Sequence, residues 1–287
     1  MPPVMPPVKP HTAVEASACL HHLKILSPDP AALMRFYCGA MQMALMRQEG
    51  DDHYLAGPGR RLIIGKGAPG TLARIAFATR DLRGLDAIRA RAEAEGLEPR
   101  PVSSPLLAEG AFAVADPDGT EVVFGAALPA PPLAGIKGPL QHLALATRSI
   151  QPIVDFYHGK LGFAVSDRIE ADDGRLMSCF MRSNHEHHTV TVFVQDRQGM
   201  DHHAYETGEW GGIRDWCDHF AGRGIPLFWG PGRHGPGNNL FAFIEDPDGN
   251  RIEISAELEV VHDRPVKIWP HTEHTVNLWG RGLIRAE

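Results

Sequence analysis

The sequence predicts an α+β fold of two tandem domains, each built from two strand–helix–three-strand units that form a curled mixed sheet with helices outside. The first reason is a duplication: residues 20–23 and 36–39 return at 140–143 and 156–159, with an offset of 120 in both cases. The second is the alternation of short apolar runs with single helical stretches, which is typical of mixed sheets covered by helices. A chain of 287 residues is long enough for two such domains.

The duplication continues beyond its first two motifs. Residues 74–79 match 202–207, and the Asp-Pro-Asp-Gly turn at 116–119 returns at 246–249. The offset there has grown to 128 and 130, so the second copy contains an insertion. The boundaries that follow are an extended or disordered proline-rich arm (1–17), a first domain (18–128), a linker (129–138), a second domain (139–258) and a tail or lid (259–287).

Each unit of the first domain shows the same order of elements. Period-two and helical spacings predict strands at 22–26, 54–55 and 61–65 around a helix at 29–43, and then strands at 73–79, 111–114 and 121–124 around a helix at 82–95. In the second domain the predicted helices span 150–161 and 211–223, the latter closed by Gly224. Four units therefore start near Leu20, Ala73, Leu140 and Met200.

Composition excludes some classes of partner. The hydrophobic fraction of 43% and the charged fraction of 22% are ordinary for a globular protein, and the formal net charge is −7. A negative chain is poorly suited to nucleic acid or an anionic membrane surface, so we expect neither as a partner. No stretch approaches the roughly 20 apolar residues that span a membrane.

The cysteines and the N-terminal residues indicate the cellular compartment in which the protein is expected. Cys19, Cys38, Cys179 and Cys217 show no CxxC spacing, which favours free thiols in a reducing environment. The first residues lack the charged and apolar regions of a secretory signal. We therefore expect a cytoplasmic protein.

Three strands of the second domain carry candidate metal ligands on their less apolar faces. Successive side chains of a strand alternate between faces, so His142 shares a face with two alanines, whereas the neighbouring leucines point the other way. The same argument applies to His202 and to Glu253, which lies opposite two isoleucines. The gapless match of residues 142–147 with 202–207 selects His202 over His203. At equivalent positions the first domain has His22, Arg74 and Val123, which cannot form a comparable set.

Two imidazoles and one carboxylate leave several adjacent positions of an octahedral ion open, as in Fe(II) sites that activate dioxygen. Zinc would accept the same ligands but has no redox chemistry. With no thiolate in the set, the residues favour iron or manganese over copper.

With these residues the chain resembles the vicinal oxygen chelate superfamily, and within it the type I extradiol ring-cleaving, catechol 2,3-dioxygenase-like enzymes. The resemblance covers about residues 18–258 and is most specific at 232–234, 242–243, 246–249 and Glu253. It implies a glyoxalase/extradiol dioxygenase-like fold with an inactive N-terminal domain and an iron site in the C-terminal one. The implied activity is extradiol (meta) cleavage of a catecholic diol by O2 at mononuclear Fe(II), in the degradation of aromatic compounds.

Carried over by position, the resemblance implies roles for individual residues. His142, His202 and Glu253 correspond to the iron ligands, with Mn(II) as the alternative metal. His188 corresponds to the acid/base residue and His234 to the histidine that hydrogen-bonds a substrate oxygen. Phe243 stands in the substrate site where the family usually has tyrosine, so this chain lacks that hydroxyl donor.

Two other functions stay open at this point. A glyoxalase- or epimerase-like lyase or isomerase would use the metal as a Lewis acid, and a binding member of the superfamily would need no metal. We expect an oxidoreductase whose partners are a small aromatic diol and O2, and which forms a homo-oligomer. The tail, with Trp269 and Trp279, is predicted to be either a lid over an aromatic pocket or a segment that packs elsewhere on the protein. Phe228 and Trp229 are predicted either to flank that pocket or to pack in the core.

Overall fold

The computed structural model describes residues 10–129 and 132–284. The predicted arm over 1–17 is wrong in its second half, because α1 (Thr12–Glu15) is a short helix in which Thr12 and Ala13 are buried. The amide of Ala13 donates to the carbonyl of Gly162 at 3.1 Å. This segment therefore packs against the second half of the chain. The rest of the predicted arm, residues 1–9, lies outside the described residues.

The first half contains two units of strand, helix and three strands, as the sequence pattern predicts. Their elements are, in chain order, β1 (Cys19–Ser27), α2 (Pro30–Ala40), β2 (Ala44–Glu49), β3 (Asp52–Gly57), β4 (Arg60–Lys66), β5 (Thr71–Thr79), α3 (Leu82–Ala94), β6 (Arg100–Pro101), β7 (Phe112–Ala115) and β8 (Glu121–Ala126). The strands form one sheet in the order β2-β3-β4-β1-β5-β8-β7-β6. The edge strand β2 was not predicted, since all six of its residues are exposed and it shows no apolar face.

The second half repeats this plan. Its elements are β9 (Leu140–Thr147), α4 (Ile150–Val154) with a π-helical turn (Asp155–Lys160), β10 (Ala164–Glu170), β11 (Leu176–Arg182), β12 (Val190–Val194), β13 (Gly199–Glu206), α5 (Trp210–Ala221), β14 (Trp229–Arg233), β15 (Leu240–Glu245) and β16 (Arg251–Ala256). The first strand of each unit pairs parallel with its last strand, and the two first strands, β9 and β13, pair antiparallel at the centre. The mixed two-sheet α+β fold is thereby confirmed.

Helix ends differ from the predicted ones for local reasons. The carboxylate of Asp29 caps α2 by accepting from the amide of Ala32 at 3.0 Å, and the helix stops at Ala40 because Gln42 is in the left-handed region, at φ +47°. The predicted helix at 150–161 changes into the π-helical turn after Val154. Helix α5 ends at Ala221, so Gly224 lies beyond its cap rather than at it.

The tail is part of the second sheet. β17 (Lys267–Pro270) pairs parallel with β10 and becomes an edge strand, giving the order β14-β15-β16-β13-β9-β12-β11-β10-β17. A short helix, α6 (Glu273–Val276), follows, and the Thr272 hydroxyl caps it. Nothing in the first half corresponds to these elements.

One continuous apolar core joins the two halves on the helix-covered sides of their sheets. Phe77 of β5 contacts Phe163, with ring centroids 5.4 Å apart. The hydroxyl of Tyr37, on α2, donates to Asp246 of the second half at 3.0 Å and lies 3.1 Å from His203 Nε2. His203 therefore faces the helices, as predicted, and the two halves share buried polar contacts as well as apolar ones.

Arg60 forms a buried centre of hydrogen bonds between α2, the linker and α5. Its side chain is 0% exposed, and it donates to the carbonyl of Met41 at 2.7 and 2.9 Å and to that of Ile136 at 3.0 Å. Its guanidinium lies 5.1 Å from the ring centroid of Trp216. Burial lowers the pKa of Arg60 to about 10, so the group remains charged at neutral pH.

Within the described residues, none of the helices is long and apolar enough to cross a membrane. All four cysteines carry free thiols.

Candidate metal centre

Sheet register brings the three predicted ligands onto one face. Strands β9, β13 and β16 are neighbours, and Ala204 of β13 lies directly opposite both His142 of β9 and Glu253 of β16. Side chains in register on adjacent strands share a face. His202 lies two residues from Ala204 and so on the same face. The small side chain of Ala204, in the middle of the group, leaves room for the three donors to converge.

The donor atoms of this group are close together and buried. One ligand atom each from His142, His202 and Glu253 lies within 4.8 Å of the others. The Oε2 atom of Glu253 lies 3.1 Å from His142 Nε2 and 3.2 Å from His202 Nε2. Two imidazole nitrogens thus converge on one carboxylate oxygen, which is the arrangement that a divalent cation requires of its protein ligands.

The electrostatics keep the carboxylate ionised. Burial works against the charged form of Glu253, but His142 and His202 outweigh it and hold the pKa of the Glu253 carboxyl well below its ordinary value. Burial also opposes protonation of His202, whereas hydrogen bonds to Asp201 and Glu253 prevail and raise its pKa. The site therefore has a strong preference for positive charge.

Each imidazole is fixed by a partner at its other nitrogen. His142 Nδ1 donates to the side-chain carbonyl of Gln141 at 3.3 Å, and His202 Nδ1 donates to Asp201 at 2.7 Å. Such partners set the tautomer in which Nε2 offers its lone pair to a metal. This observation makes the residues a fit for a divalent ion rather than only a charged cluster.

Asp201 reaches His202 because the strand is irregular there. The pairing of β13 with β9 shifts register between Met200 and His202, which is the mark of a β-bulge. Strict alternation would place adjacent residues on opposite faces, so sequence reasoning overlooked Asp201. The only available signal was an acidic residue immediately before a candidate ligand.

Asn239 holds the second oxygen of Glu253. Its amide nitrogen donates to Glu253 Oε1 at 3.0 Å and to Ser255 Oγ at 3.1 Å, and the side chain is fully buried. With Oε1 held in this way, Oε2 is the oxygen left facing the two imidazoles. Asn239 precedes β15 in a Gly-rich loop, and nothing in the sequence pattern marked it.

Replacing Asn239 with alanine should weaken metal binding by about 10- to 100-fold, the range typical for losing the hydrogen-bond partner of a ligand. A competition titration with a chromogenic chelator measures this affinity. Asn238→Gly is the matched control, because Asn238 is exposed and has a φ of +53° that glycine adopts freely. Equal affinities for Asn239→Ala and the unmodified protein would show that Asn239 does not orient Glu253.

The metal centre opens into a partly enclosed cavity. Beyond the candidate ligands, His188, His234 and Asn239, the wall is formed mostly by apolar side chains, namely Ile169, Phe180, Phe193, Pro236 and Val276. Val276 and the adjacent Thr275 belong to α6, so the tail closes one side of the cavity. Of the two predictions for the tail, a covering segment is therefore the one that the lining favours.

His188 lies against the metal centre and ends a chain of buried polar groups. Its ring centroid is 4.3 Å from that of His142, and its Nδ1 lies 2.9 Å from Nδ1 of His187. His187 Nε2 is 3.0 Å from Asp167. Arg264 donates to the same carboxylate at 2.9 Å. Burial, then repulsion from His142 and His187, lowers the pKa of His188 well below its ordinary value.

His234 lies on the opposite wall and is oriented by the tail. Its Nδ1 donates to the carbonyl of Val276 at 2.5 Å, and its ring stacks on Phe241 with centroids 4.0 Å apart. Its Nε2 is 3.8 Å from Glu253 Oε1. A bond between His234 and a tail carbonyl could not be foreseen from spacing.

Phe243 contributes differently from the prediction. It packs edge-on against His202 at 5.2 Å and beside Trp229 at 5.3 Å, and it lines a neighbouring cleft rather than the cavity itself. Phe228 and Trp229 line that same cleft. They do not flank the described cavity, and Trp229 packs on Phe241 instead.

The equivalent positions of the first half form no ligand set. Val123 packs in a small apolar cluster with Ala76 and Ala113, and Arg74 is paired with Glu121 at 2.5 Å. His22 is buried beside His21, with their Nδ1 atoms 2.8 Å apart. The duplicated position of Glu253 has thus become part of a hydrophobic core.

Comparison with known proteins adds to this geometry. Residues 140–254 match the family model described as Glyoxalase/Bleomycin resistance protein/Dioxygenase superfamily. Metapyrocatechase 2 of Cupriavidus necator is 28% identical over 145 residues, which are 49% of this chain and 44% of that protein. The matched stretch thus spans less than half the length of this curated relative.

Solved structures match over nearly the whole chain. Homoprotocatechuate 2,3-dioxygenase of Arthrobacter globiformis superposes with a TM-score of 0.79 at 24% identity, covering 96% of this chain and 92% of that one. The enzyme of the same name from Brevibacterium fuscum, in complex with 3,4-dihydroxyphenylacetate, gives 0.79 at 24% identity over 94% and 92%. At this identity the likeness establishes the fold.

Proposed function

We propose, from the match of residues 140–254 to the family model described as Glyoxalase/Bleomycin resistance protein/Dioxygenase superfamily, that this chain is an extradiol dioxygenase, an oxidoreductase that cleaves a catechol with O2. The observation that carries the proposal is the convergence of His142, His202 and Glu253 within 4.8 Å beside a largely apolar cavity. The similarity to metapyrocatechase 2 supports it.

The metal would be held by His142 Nε2, His202 Nε2 and Glu253 Oε2. Neutral imidazoles and a single carboxylate, with no thiolate, suit Fe(II), and Mn(II) is the alternative. When bound, such an ion would supply the redox chemistry and the open coordination positions that a diol and O2 need. Gln141, Asp201 and Asn239 keep the three ligands in the orientation that suits it.

His188 is the group that would take and return a proton. Its low pKa keeps the imidazole neutral, and its contact with His187 fixes which nitrogen is free. When His187 uses Nε2–H toward Asp167, its Nδ1 accepts from His188 Nδ1–H, so His188 Nε2 presents a lone pair to the cavity. That lone pair can accept a hydroxyl proton from the diol and later return it to the leaving oxygen.

His234 would orient the diol from the other side. Because its Nδ1–H is committed to the carbonyl of Val276, neutral His234 offers Nε2 as an acceptor for a diol hydroxyl. The apolar wall, including Phe180 and Phe193, holds the ring and excludes water from it. Phe243 supplies no hydrogen bond, and the polar groups left on the described cavity wall outside the ligand set are His188, Thr191, His234, Asn239 and Thr275.

Replacing His188 with glutamine should lower kcat by about 100- to 10,000-fold, the usual contribution of a positioned acid/base group, without loss of metal. Steady-state kinetics with parallel metal analysis separate the two effects. His185→Gln is the control, since His185 is an exposed histidine of the same loop. A kcat within a factor of two of the unmodified value would exclude His188 as the acid/base group.

Oxygen uptake tests the proposed function. Protein reconstituted anaerobically with Fe(II) should consume O2 in the presence of catechol and form a yellow ring-opened product. Reconstituted protein that binds iron but consumes no O2 with any catechol of a broad panel would contradict the proposal.

The same assay tests the lyase or isomerase alternative. Such chemistry needs a carboxylate base besides the ligands, and Glu253 is the only carboxylate lining the cavity among the residues that the structure describes. Turnover that proceeds equally well without O2 would favour that alternative.

A further inference from the structure

The charge of the cavity wall limits which substituents the diol substrate can carry on its ring. Outside the candidate metal centre and the two histidines His188 and His234, the described lining carries no ionisable side chain. The polar groups that remain, Thr191, Asn239 and Thr275, are uncharged. A substituent on the diol ring therefore meets no arginine or lysine.

Two arginines near the cavity do not line it. Arg168 adjoins the lining residue Ile169 but occupies the opposite face of β10. Arg264 is held by Asp167 and by Glu259, at 2.9 and 2.7 Å. Neither arginine therefore forms part of the described wall around the ring.

Two further arginines lie in the neighbouring cleft, on the far side of Phe243. Arg197 and Arg251 approach Asp201 at 3.7 and 3.9 Å, and Arg251 also pairs with Glu245 at 3.4 Å. That cleft shares no lining residue with the metal cavity. Neither guanidinium therefore lines the cavity that would hold the ring.

A second cavity adjoins the first. The two share Ile169, Phe193 and Val276, so these three side chains form the boundary between them. Beyond the boundary, His271 is the single titratable group among the described lining residues. This second cavity also shares two apolar residues, Leu283 and Ile284, with the neighbouring cleft. The described walls next to the ring are thus mostly apolar as well.

We propose, on the basis of the function proposed above, that the substrate is a catechol without a charged substituent, whose apolar substituent lies against Ile169, Phe193 and Val276. A carboxylate on the ring substituent would be buried at this wall with no described arginine or lysine beside it, and such burial is costly.

A matched pair of diols tests this inference. 4-Ethylcatechol and 3,4-dihydroxyphenylacetate differ in having a methyl group or a carboxylate at the end of the same short substituent. With Fe(II)-loaded protein at pH 8, kcat/KM should favour 4-ethylcatechol by about 100-fold. Anaerobic calorimetric titration should give the same order of affinities.

The outcomes separate this inference from the proposed function. An equal or greater kcat/KM for 3,4-dihydroxyphenylacetate would contradict the inference of an uncharged substrate, but it would not contradict the proposal of ring cleavage. Cleavage of neither diol by iron-loaded protein, nor of any other catechol, would overturn ring cleavage and this inference with it.

A charge placed at the boundary tests where the substituent lies. Val276→Lys should reduce the preference for 4-ethylcatechol over 3,4-dihydroxyphenylacetate at least about tenfold, because the lysine gives the carboxylate a partner. The uncharged Val276→Met variant should keep that preference. The backbone carbonyl that binds His234 is retained in both variants. An unchanged ratio in folded Val276→Lys protein would contradict the placement of the substituent at this wall.

Discussion

Replacing Glu253 with alanine should abolish iron retention and ring cleavage while the fold survives. Glu253 supplies the only anionic donor of the metal centre, and its Oε2 lies within 3.2 Å of both imidazoles. Its loss should therefore weaken Fe(II) binding by more than the roughly 10- to 100-fold expected for losing the partner of a ligand. Metal analysis after anaerobic reconstitution measures the loss, and circular dichroism reports the fold.

Val123→Ala is the control that the duplication offers, because Val123 occupies the position of Glu253 in the first half. Val123 is fully buried in an apolar cluster, so its truncation should cost about 1 to 3 kcal/mol of stability and leave metal content unchanged. Glu253→Gln, which keeps size and hydrogen-bonding capacity, separates loss of charge from loss of packing. Equal loss of metal from Val123→Ala and Glu253→Ala would show that the metal site has been assigned to the wrong half of the chain.

Replacing Arg60 with methionine should destabilise the protein by about 3 kcal/mol or more, because each buried carbonyl left without a donor costs about 1 to 3 kcal/mol. The variant would leave the carbonyls of Met41, Ile136 and Gly138 without their donor in the interior. It would also remove the contact with Trp216 that links the linker to α5. Urea unfolding measures the change in the free energy of unfolding.

Arg214→Met provides the matched control on the surface. Arg214 is exposed and pairs with the adjacent Asp215, so its replacement should change stability by no more than about 0.5 kcal/mol. Similar unfolding midpoints for the Arg60→Met variant and the unmodified protein would show that Arg60 is not a structural centre.

The regular part of the fold could be predicted because it repeats. The match of residues 20–23 with 140–143 and the period-two strands of each unit were enough to define four units and their order. Elements without apolar periodicity were missed: β2 is wholly exposed, and β17 has only Trp269 partly buried. The short helix α1 was mistaken for part of an arm because prolines precede it.

The candidate site was predicted only where strand alternation or repeat position determines a side chain. This applies to His142, His202 and Glu253, whose convergence follows from the register of three adjacent strands. Asp201 escaped prediction because a bulge breaks the alternation. Asn239 and Val276 lie in a loop and the tail, where tertiary contacts decide which groups meet.

The most direct measurement of the central claim is the anaerobic titration of the metal-free chain with Fe(II), followed by X-ray absorption of the loaded protein. We expect one tightly bound ion per chain, with scattering from two imidazoles and otherwise oxygen donors, and no such binding in Glu253→Ala. An ion without imidazole ligands, or no bound iron or manganese after reconstitution, would contradict a metal centre made by His142, His202 and Glu253.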